Sequence, residues 1–194
     1  MTLGEGAPDA VLASRAAAGD ERSFAVLVHR HKEPLYRLLR RYTGDADEAY
    51  EAAHEAFIAA WAALGRYDPQ RSFLAWLRTI AINKARDRGR RMAFRRLLFG
   101  AKSFEESGAL SEPDAAIPAD EVVMGRQDMA ILDRAISRLP APLKEALLLT
   151  TVDGWSQKEA GDILGVSPKT IETRAYRARK ILARTLEAGL KPKA

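Results

Sequence analysis

Two sets of basic side chains carry the chemistry that this chain could perform. Asn83, Lys84, Arg86, Arg88, Arg90, Arg91, Arg95 and Arg96 follow directly behind the apolar residues Phe73, Trp76, Leu77 and Ile80. Nearer the C-terminus, Lys169, Thr173, Tyr176, Arg177 and Lys180 recur at helical spacing. Arginine can grip a guanine edge with two hydrogen bonds, and the other cationic groups suit phosphate oxygens. Nucleic acid is therefore the counter-charge that both sets fit. The chain has no Cys, which removes disulfides, thiolate ligands and cysteine nucleophiles. His29 and His54 are dispersed, and His31 sits on an apolar stripe where a packed role is expected, so no metal site, catalytic residue or cofactor is predicted.

Charge is arranged in blocks along the 194 residues. Residues 71–102 hold ten Lys/Arg against one acid, residues 103–128 hold seven acids against one Arg, and residues 169–193 hold eight Lys/Arg against two acids. Two basic blocks thus flank an acidic middle, which favours two small domains over one medium domain. No apolar run approaches the roughly 20 residues of a membrane span, and Glu5 and Asp9 break the pattern of a signal peptide. Membrane insertion is not expected, and the expected location is the cytoplasm.

The elements that must position these side chains read as helices throughout, with no repeat and no strand-like alternation. After a start that reads as frayed, Gly19-Asp20 marks a helix boundary. Phe24, Leu27, Val28, His31, Leu35, Leu38 and Tyr42 then recur at helical spacing, with Pro34 predicting a kink or break near Lys32 unless neighbouring packing tolerates the lost hydrogen bond. From Asp45 to Leu64, Ala49, Ala53, Phe57, Ala60 and Leu64 share one face whose alanines let a neighbouring helix approach closely. The other face holds Asp47, Glu51, His54, Glu55 and Ile58, with Trp61 at its margin, and mixes apolar groups with acids where a solvated face needs none. Residues 65–71 read as a loop, Ser72 as an N-cap, and the following helix is expected to end near Gly89. Residues 100–120 lose periodicity and read as a flexible acidic linker.

Past the linker, Leu132, Ile136 and Leu139 lead to Pro140 and Pro142. Leu143, Leu147 and Thr150 mark another helix up to Asp153-Gly154. Ser156 and Glu159 form a capping box. Ala160, Ile163 and Leu164 face inward, Gly165 stops the helix, and Ser167-Pro168 starts the next one. In that second helix Ile171, Ala175, Ala178 and Leu182 face inward, leaving Lys169, Thr173, Tyr176, Arg177 and Lys180 outside. Helix, tight turn and helix with a basic outer face predict a helix-turn-helix placed in a major groove.

At these residues the chain resembles the sigma-70 family of bacterial RNA polymerase sigma factors, in the extracytoplasmic-function (ECF) group. Ala18-Gly19-Asp20 with Phe24 and Leu27, Phe57-Ile-Ala-Ala-Trp61, Phe73-Leu-Ala-Trp-Leu77, Ile80-Ala81 and Asn83 to Asp87 look like region two. Leu139-Pro140, Gly154-Trp-Ser156, Glu159-Ala160, Leu164 to Ser167, Thr170-Ile171 and Arg174 to Arg179 look like region four. The resemblance implies an all-α chain with region two over 10–99, a linker over 100–121 and region four over 122–190. It implies docking on core RNA polymerase, with Asp47, Glu51, His54, Glu55, Ile58 and Trp61 meeting the β′ clamp helices and with a further contact at the β flap.

Promoter DNA is the other implied partner. Tyr67, Arg71, Trp76, Asn83, Lys84 and Arg86 are the candidates for reading and opening the minus-ten element, with a packed role equally open for Trp76. Arg88, Arg90, Arg91, Arg95 and Arg96 are candidates for upstream phosphates. Lys169, Glu172, Thr173, Tyr176, Arg177 and Lys180 fall where the family meets the minus-thirty-five element, and Glu172 either accepts from a cytosine amino group or points away. An anti-sigma factor is an implied partner of the kind. The chain departs from the family in having His54-Glu55 where Gln-Glu often stands, which implies altered polymerase docking. Two rival readings stay open at this point: a sigma-like module that captures an anti-sigma factor without binding promoters, and a stand-alone helix-turn-helix regulator. A DNA-processing enzyme lacks a defined carboxylate cluster or activated nucleophile.

Overall fold

The computed structural model describes residues 6–99 and 129–190. Described first are α1 (Asp9–Ala17), α2 (Glu21–Thr43), α3 (Ala46–Ala63), a short 3-10 turn (Leu64–Arg66) and α4 (Phe73–Phe99). Then come α5 (129–137), α6 (Ala141–Leu147) running into a π-helical turn (Leu148–Val152), α7 (Gln157–Leu164) and α8 (Pro168–Leu190). The acidic linker expected over 100–121 lies outside the described residues.

Local signals explain most boundaries. The Asp20 carboxylate accepts from the backbone N–H groups of Arg22 and Ser23 and starts α2, and Asp45 does the same for α3 through Glu48. Gly44 closes α2 at φ 79°, a left-handed conformation that favours glycine. Ser72 Oγ accepts from Ala75 N at 3.3 Å at the start of α4.

Three expectations need correction. The start of the chain is not merely frayed: α1 buries Leu12, Ala13 and Ala16 against the first bundle, and Asp9 binds Arg30 and His31. α2 is not broken near Lys32 but runs unbroken past Pro34. Burial of Leu27, His31, Leu35, Leu38, Leu39 and Tyr42 along one side offsets the backbone hydrogen bond that proline forfeits. α4 does not end at Gly89, which keeps an ordinary helical backbone, and continues ten residues further to Phe99.

The first bundle packs α2 on α1, α3 and α4, with Ala49, Ala52, Ala53, Ala56 and Ala60 of α3 buried so that helices approach closely. Phe73, Leu77, Ala81 and Ala85 bring α4 into the same core. In the second unit α6 and α7 pack on α8 around Ala146, Leu149, Ala160, Ile163, Ile171 and Ala175. The two units touch: α4 lies against α7, and α2 against the π turn.

Candidate nucleic-acid and protein interfaces

The helix-turn-helix is built from caps. Ser156 accepts from Glu159 N while Glu159 accepts from Ser156 N, completing the box at the start of α7. The Ser156 hydroxyl also donates to Glu159 Oε2 at 2.6 Å, and this bond first, then the one from Ser156 N, holds the Glu159 carboxyl below its ordinary pKa. Gly165 ends α7 at φ 68°, Val166 N returns to Gly161 O at 3.0 Å, and Ser167 Oγ accepts from Thr170 N to start α8. The turn therefore fixes the angle at which α8 leaves. Ile171, Ala175, Ala178 and Leu182 are buried, as their spacing predicts, and Lys169, Glu172, Thr173, Tyr176, Arg177 and Lys180 are all exposed. Lys169 Nζ binds Glu172 Oε2 at 2.8 Å, which draws the one acid of this face toward a neighbouring cation. The Thr173 hydroxyl donates back to Lys169 O.

The basic end of α4 is less free than its sequence reads. Asn83, Arg90, Arg91 and Arg95 are exposed and Lys84 is half-buried. Arg88 is bound by Glu48 at 2.9 Å and by Glu55 at 2.7 Å, and these hydrogen bonds, Glu48 foremost, raise its pKa. Arg91 also approaches Glu55, at 3.6 Å, and Arg90 pairs with Asp87. Arg86 donates through Nε to Glu145 Oε1 at 2.6 Å and through Nη2 to Glu145 Oε2. Arg96 belongs to α4. Tyr67 is buried against Phe73 and Trp76, with ring centroids 5.6 and 5.1 Å away, and its hydroxyl donates to Arg71 O. Burial first, then Asp9 and Asp68, pushes that hydroxyl's pKa up. Trp76 is half-buried in the same cluster, while Arg71 is exposed.

Phe24 and Val28 of α2 and His54, Phe57, Ile58 and Trp61 of α3 line an apolar groove of about 330 Å³. The Phe24 and Trp61 rings meet at a tilt of 59° with centroids 4.9 Å apart. Ile58 is 57% exposed, an unusual state for isoleucine, and Asp47, Glu51 and His54 stand exposed on the same helix. Glu55 differs from the sequence expectation: its carboxylate turns toward α4 and is occupied by Arg88 and Arg91. Tyr50, 66% exposed, lies on the stripe with Asp47, Ile58 and Trp61. Its helical spacing from Asp47 and Ile58 is the signal in the sequence that places it there. His31 is buried, as its stripe predicts, with Nε2 2.7 Å from Asp9 Oδ2; burial lowers its pKa although Asp9 opposes the shift. Among the described residues no helix is long and apolar enough to cross a membrane.

Two family profiles match these two units. Residues 27–95 match Sigma-70 region 2, and residues 129–182 match Sigma-70 region 4. The RNA polymerase sigma factor CnrH of Cupriavidus metallidurans is 35% identical over 183 residues, covering 93% of this chain and 95% of that protein. The chain belongs to the sigma-70 family, in its ECF group. The ECF RNA polymerase sigma-E factor of Escherichia coli K12 is 31% identical over 185 residues, again covering 93% of this chain and 95% of the relative. A solved structure of CnrH in complex with the cytosolic domain of CnrY aligns with a TM-score of 0.67 at 32% identity, over 93% of this chain and 97% of that one. The sigma factor RpoE from Bartonella quintana, solved with the anti-sigma factor NepR, shares the fold with a TM-score of 0.65 at 24% identity, over 86% of this chain and 98% of that one.

In sigma-factor terms, the region 2 match spans most of α2 to α4 and contains all of the groove lining except Phe24, together with the basic end of α4. Region 4 spans α5 to most of α8 and contains the exposed recognition face. The structure brings the region 4 candidates onto one surface. It divides the region 2 candidates between an exposed group, Arg71, Asn83, Arg90, Arg91 and Arg95, and an engaged group, Tyr67, Trp76, Arg86 and Arg88.

Proposed function

We propose that this sigma factor binds core RNA polymerase through the apolar groove of α2 and α3 and the exposed acids of α3, and reads promoter DNA with α4 and α8. Region 4 would insert α8 into the major groove of the minus-thirty-five element through Lys169, Glu172, Thr173, Tyr176, Arg177 and Lys180. Region 2 would read and open the minus-ten element with the loop before α4 and with Asn83, Lys84 and Arg86. Extruding bases costs a few kcal/mol each, which stacking and cationic contacts offset. Arg90, Arg91 and Arg95 would neutralise phosphates just upstream. Tyr67 and Trp76 would take part only after their shared cluster opens. The factor makes and breaks no bond itself; the polymerase is the enzyme. Region 2 is assigned to 10–99, the linker to 100–121 and region 4 to 122–190.

The observation that carries this reading is the pairing, in one chain, of a solvent-facing basic recognition helix with an exposed apolar groove on a helix that also presents Asp47 and Glu51 to solvent. A stand-alone DNA-binding regulator has no use for the groove, and a sequestering module has no use for the recognition face. The likeness to CnrH, solved with the cytosolic domain of CnrY, supports a protein partner as well. The deciding experiment is capture of core RNA polymerase by the purified protein, followed by transcription from a genomic fragment pool with and without it. Factor-dependent starts sharing two upstream motifs support the reading. Polymerase capture without initiation favours the sequestering module, and no capture favours an independent regulator.

A further inference from the structure

α4 carries two buried stripes. Phe73, Leu77, Ala81 and Ala85 face the region 2 core. Ala75, Arg78, Thr79, Ile82 and Arg86 form a second stripe, spaced by three or four residues, which the region 4 unit covers. Ile82 is 2% exposed and packs with Ala146, Leu149, Ala160, Ile163, Ile171 and Ala175. The Thr79 hydroxyl donates to Ile163 O at 3.3 Å. At the end of the stripe stands Glu145 of α6, its side chain fully buried, accepting from Arg86 of α4 and from the Tyr42 hydroxyl of α2 at 3.0 Å. Next to it, Lys144 Nζ donates to Tyr42 O at 2.8 Å. A carboxylate has no stable place in an interior without such partners, so α2 and α4 present a built receptor for region 4.

The same guanidinium belongs to the minus-ten surface proposed above. By their names the two promoter elements lie about 25 base pairs apart, which at about 3.4 Å per pair is on the order of 85 Å. Helices in contact lie only about 8–10 Å apart. The docked arrangement therefore cannot engage both elements at once.

We propose that Glu145 is an internal competitor for promoter DNA: it holds Arg86 while region 4 covers α4, and Arg86 passes to the DNA only when the two units separate. This rests on the sigma-factor reading of Arg86. The free factor is accordingly closed, and polymerase binding draws region 4 off α4. The two ends of the pair are unequal. Arg86 keeps about a third of its side chain in solvent and Glu145 none, so losing Glu145 leaves an arginine that water can still reach. Losing Arg86 leaves a buried charge with the Tyr42 hydroxyl as its remaining hydrogen-bond donor on a side chain, the costlier defect for the closed state.

Because the chain has no Cys, Arg22→Cys and Arg184→Cys on exposed turns of α2 and α8 allow a donor–acceptor pair to report the separation of the units in the full chain. The binding probe is a labelled 20-nucleotide single strand of mixed sequence. In wild type, energy transfer should be high and fall on adding core RNA polymerase. Glu145→Gln should lower transfer in the free protein and tighten strand binding by about tenfold, the scale of one charge-assisted contact released. Arg86→Ala should lower transfer further with no tightening. The charge-reversed pair Arg86→Glu with Glu145→Arg should restore transfer while leaving strand binding weak, which separates latch loss from misfolding. Low transfer in free wild type, or an open Glu145→Gln protein that binds the strand no more tightly, overturns the proposal. Transcription with core polymerase, read separately, tests the sigma-factor reading itself.

Discussion

The Tyr42 hydroxyl donates to Glu145 Oε1 at 3.0 Å, linking two residues 103 positions apart and joining region 2 to region 4 through a wholly buried carboxylate. Burial and the adjoining negative charge push the tyrosine pKa up, so it keeps its proton and remains a donor. Tyr42→Phe keeps the ring over which Lys144 Nζ sits at 4.6 Å and deletes only the donor. Its expected cost is about 1–3 kcal/mol, the range for leaving a buried group short of a partner. Urea denaturation of the variant against wild type measures it, and an unchanged midpoint would show that Glu145 does not depend on Tyr42.

The helix boundaries were legible because their causes are local. Asp20, Asp45, Ser156, Gly165 and Ser167 each act on backbone groups within a few residues, and the inward set of α8 follows from spacing alone. Pro34 and Gly89 misled because their local penalties, one hydrogen bond and about 1 kcal/mol respectively, are small beside tertiary packing or a long run of good helix formers. The recognition face of α8 was legible because nothing but solvent covers it. The engagement of Arg86, Arg88 and Glu55 was not, since a charge read in sequence carries no sign of the partner 33 or 59 residues away that holds it. The second stripe of α4 was hidden for the same reason. Apolar Ala75 and Ile82 share it with Arg78 and Arg86, and only the buried carboxylates of α6 and the following turn make that mixture sensible.

Ile58→Glu tests the groove. The side chain is exposed in the free factor, so folding should be unaffected, but a carboxylate added on the face that carries Asp47 and Glu51 must be buried unpaired in any docked complex. Core RNA polymerase affinity should fall by about tenfold or more in a titration of labelled factor. Unchanged affinity would move the docking surface elsewhere.

Arg177→Ala tests the recognition face. Arg177 is exposed on α8, and a lost bidentate base contact costs about 1–3 kcal/mol of discrimination. Promoter-specific initiation should fall while polymerase affinity stays at the wild-type value. Equal loss of both would remove Arg177 from the reading surface.

Gly161→Ala tests the turn that aims α8. A Cβ there would meet the Val166 carbonyl oxygen at 2.6 Å, the carbonyl of a residue whose own N–H is tied to Gly161 O. The backbone must shift, and a loss of roughly 1–3 kcal/mol is expected. Gly89→Ala is the control, because its Cβ enters open space on a helical backbone and should stabilise by up to about 1 kcal/mol. Thermal unfolding of the two variants should therefore move in opposite directions.

Asp153 supplies the pH dependence. It lies 2.9 Å from Arg78 across the two units, yet neither Asp153 Oδ2 nor Arg78 Nη1 makes a hydrogen bond among the described residues. Burial raises its pKa from 3.8 to about 6, against the opposing pull of Arg78 on α4 and of Arg37 and Arg41 on α2. A carboxyl with a raised value binds its proton more tightly in the packed state than in the unfolded chain. Its contribution to stability is therefore fully present below pH 3.8 and is lost as pH rises through about 6. Asp153→Asn abolishes the titration, so its stability relative to wild type should climb between pH 4 and pH 7, by up to about 3 kcal/mol for a shift of this size. Urea unfolding of both proteins across that range measures the difference directly. A constant offset would mean that Asp153 stays ionised in the packed state and that the pair with Arg78 closes the two units as an ordinary salt bridge.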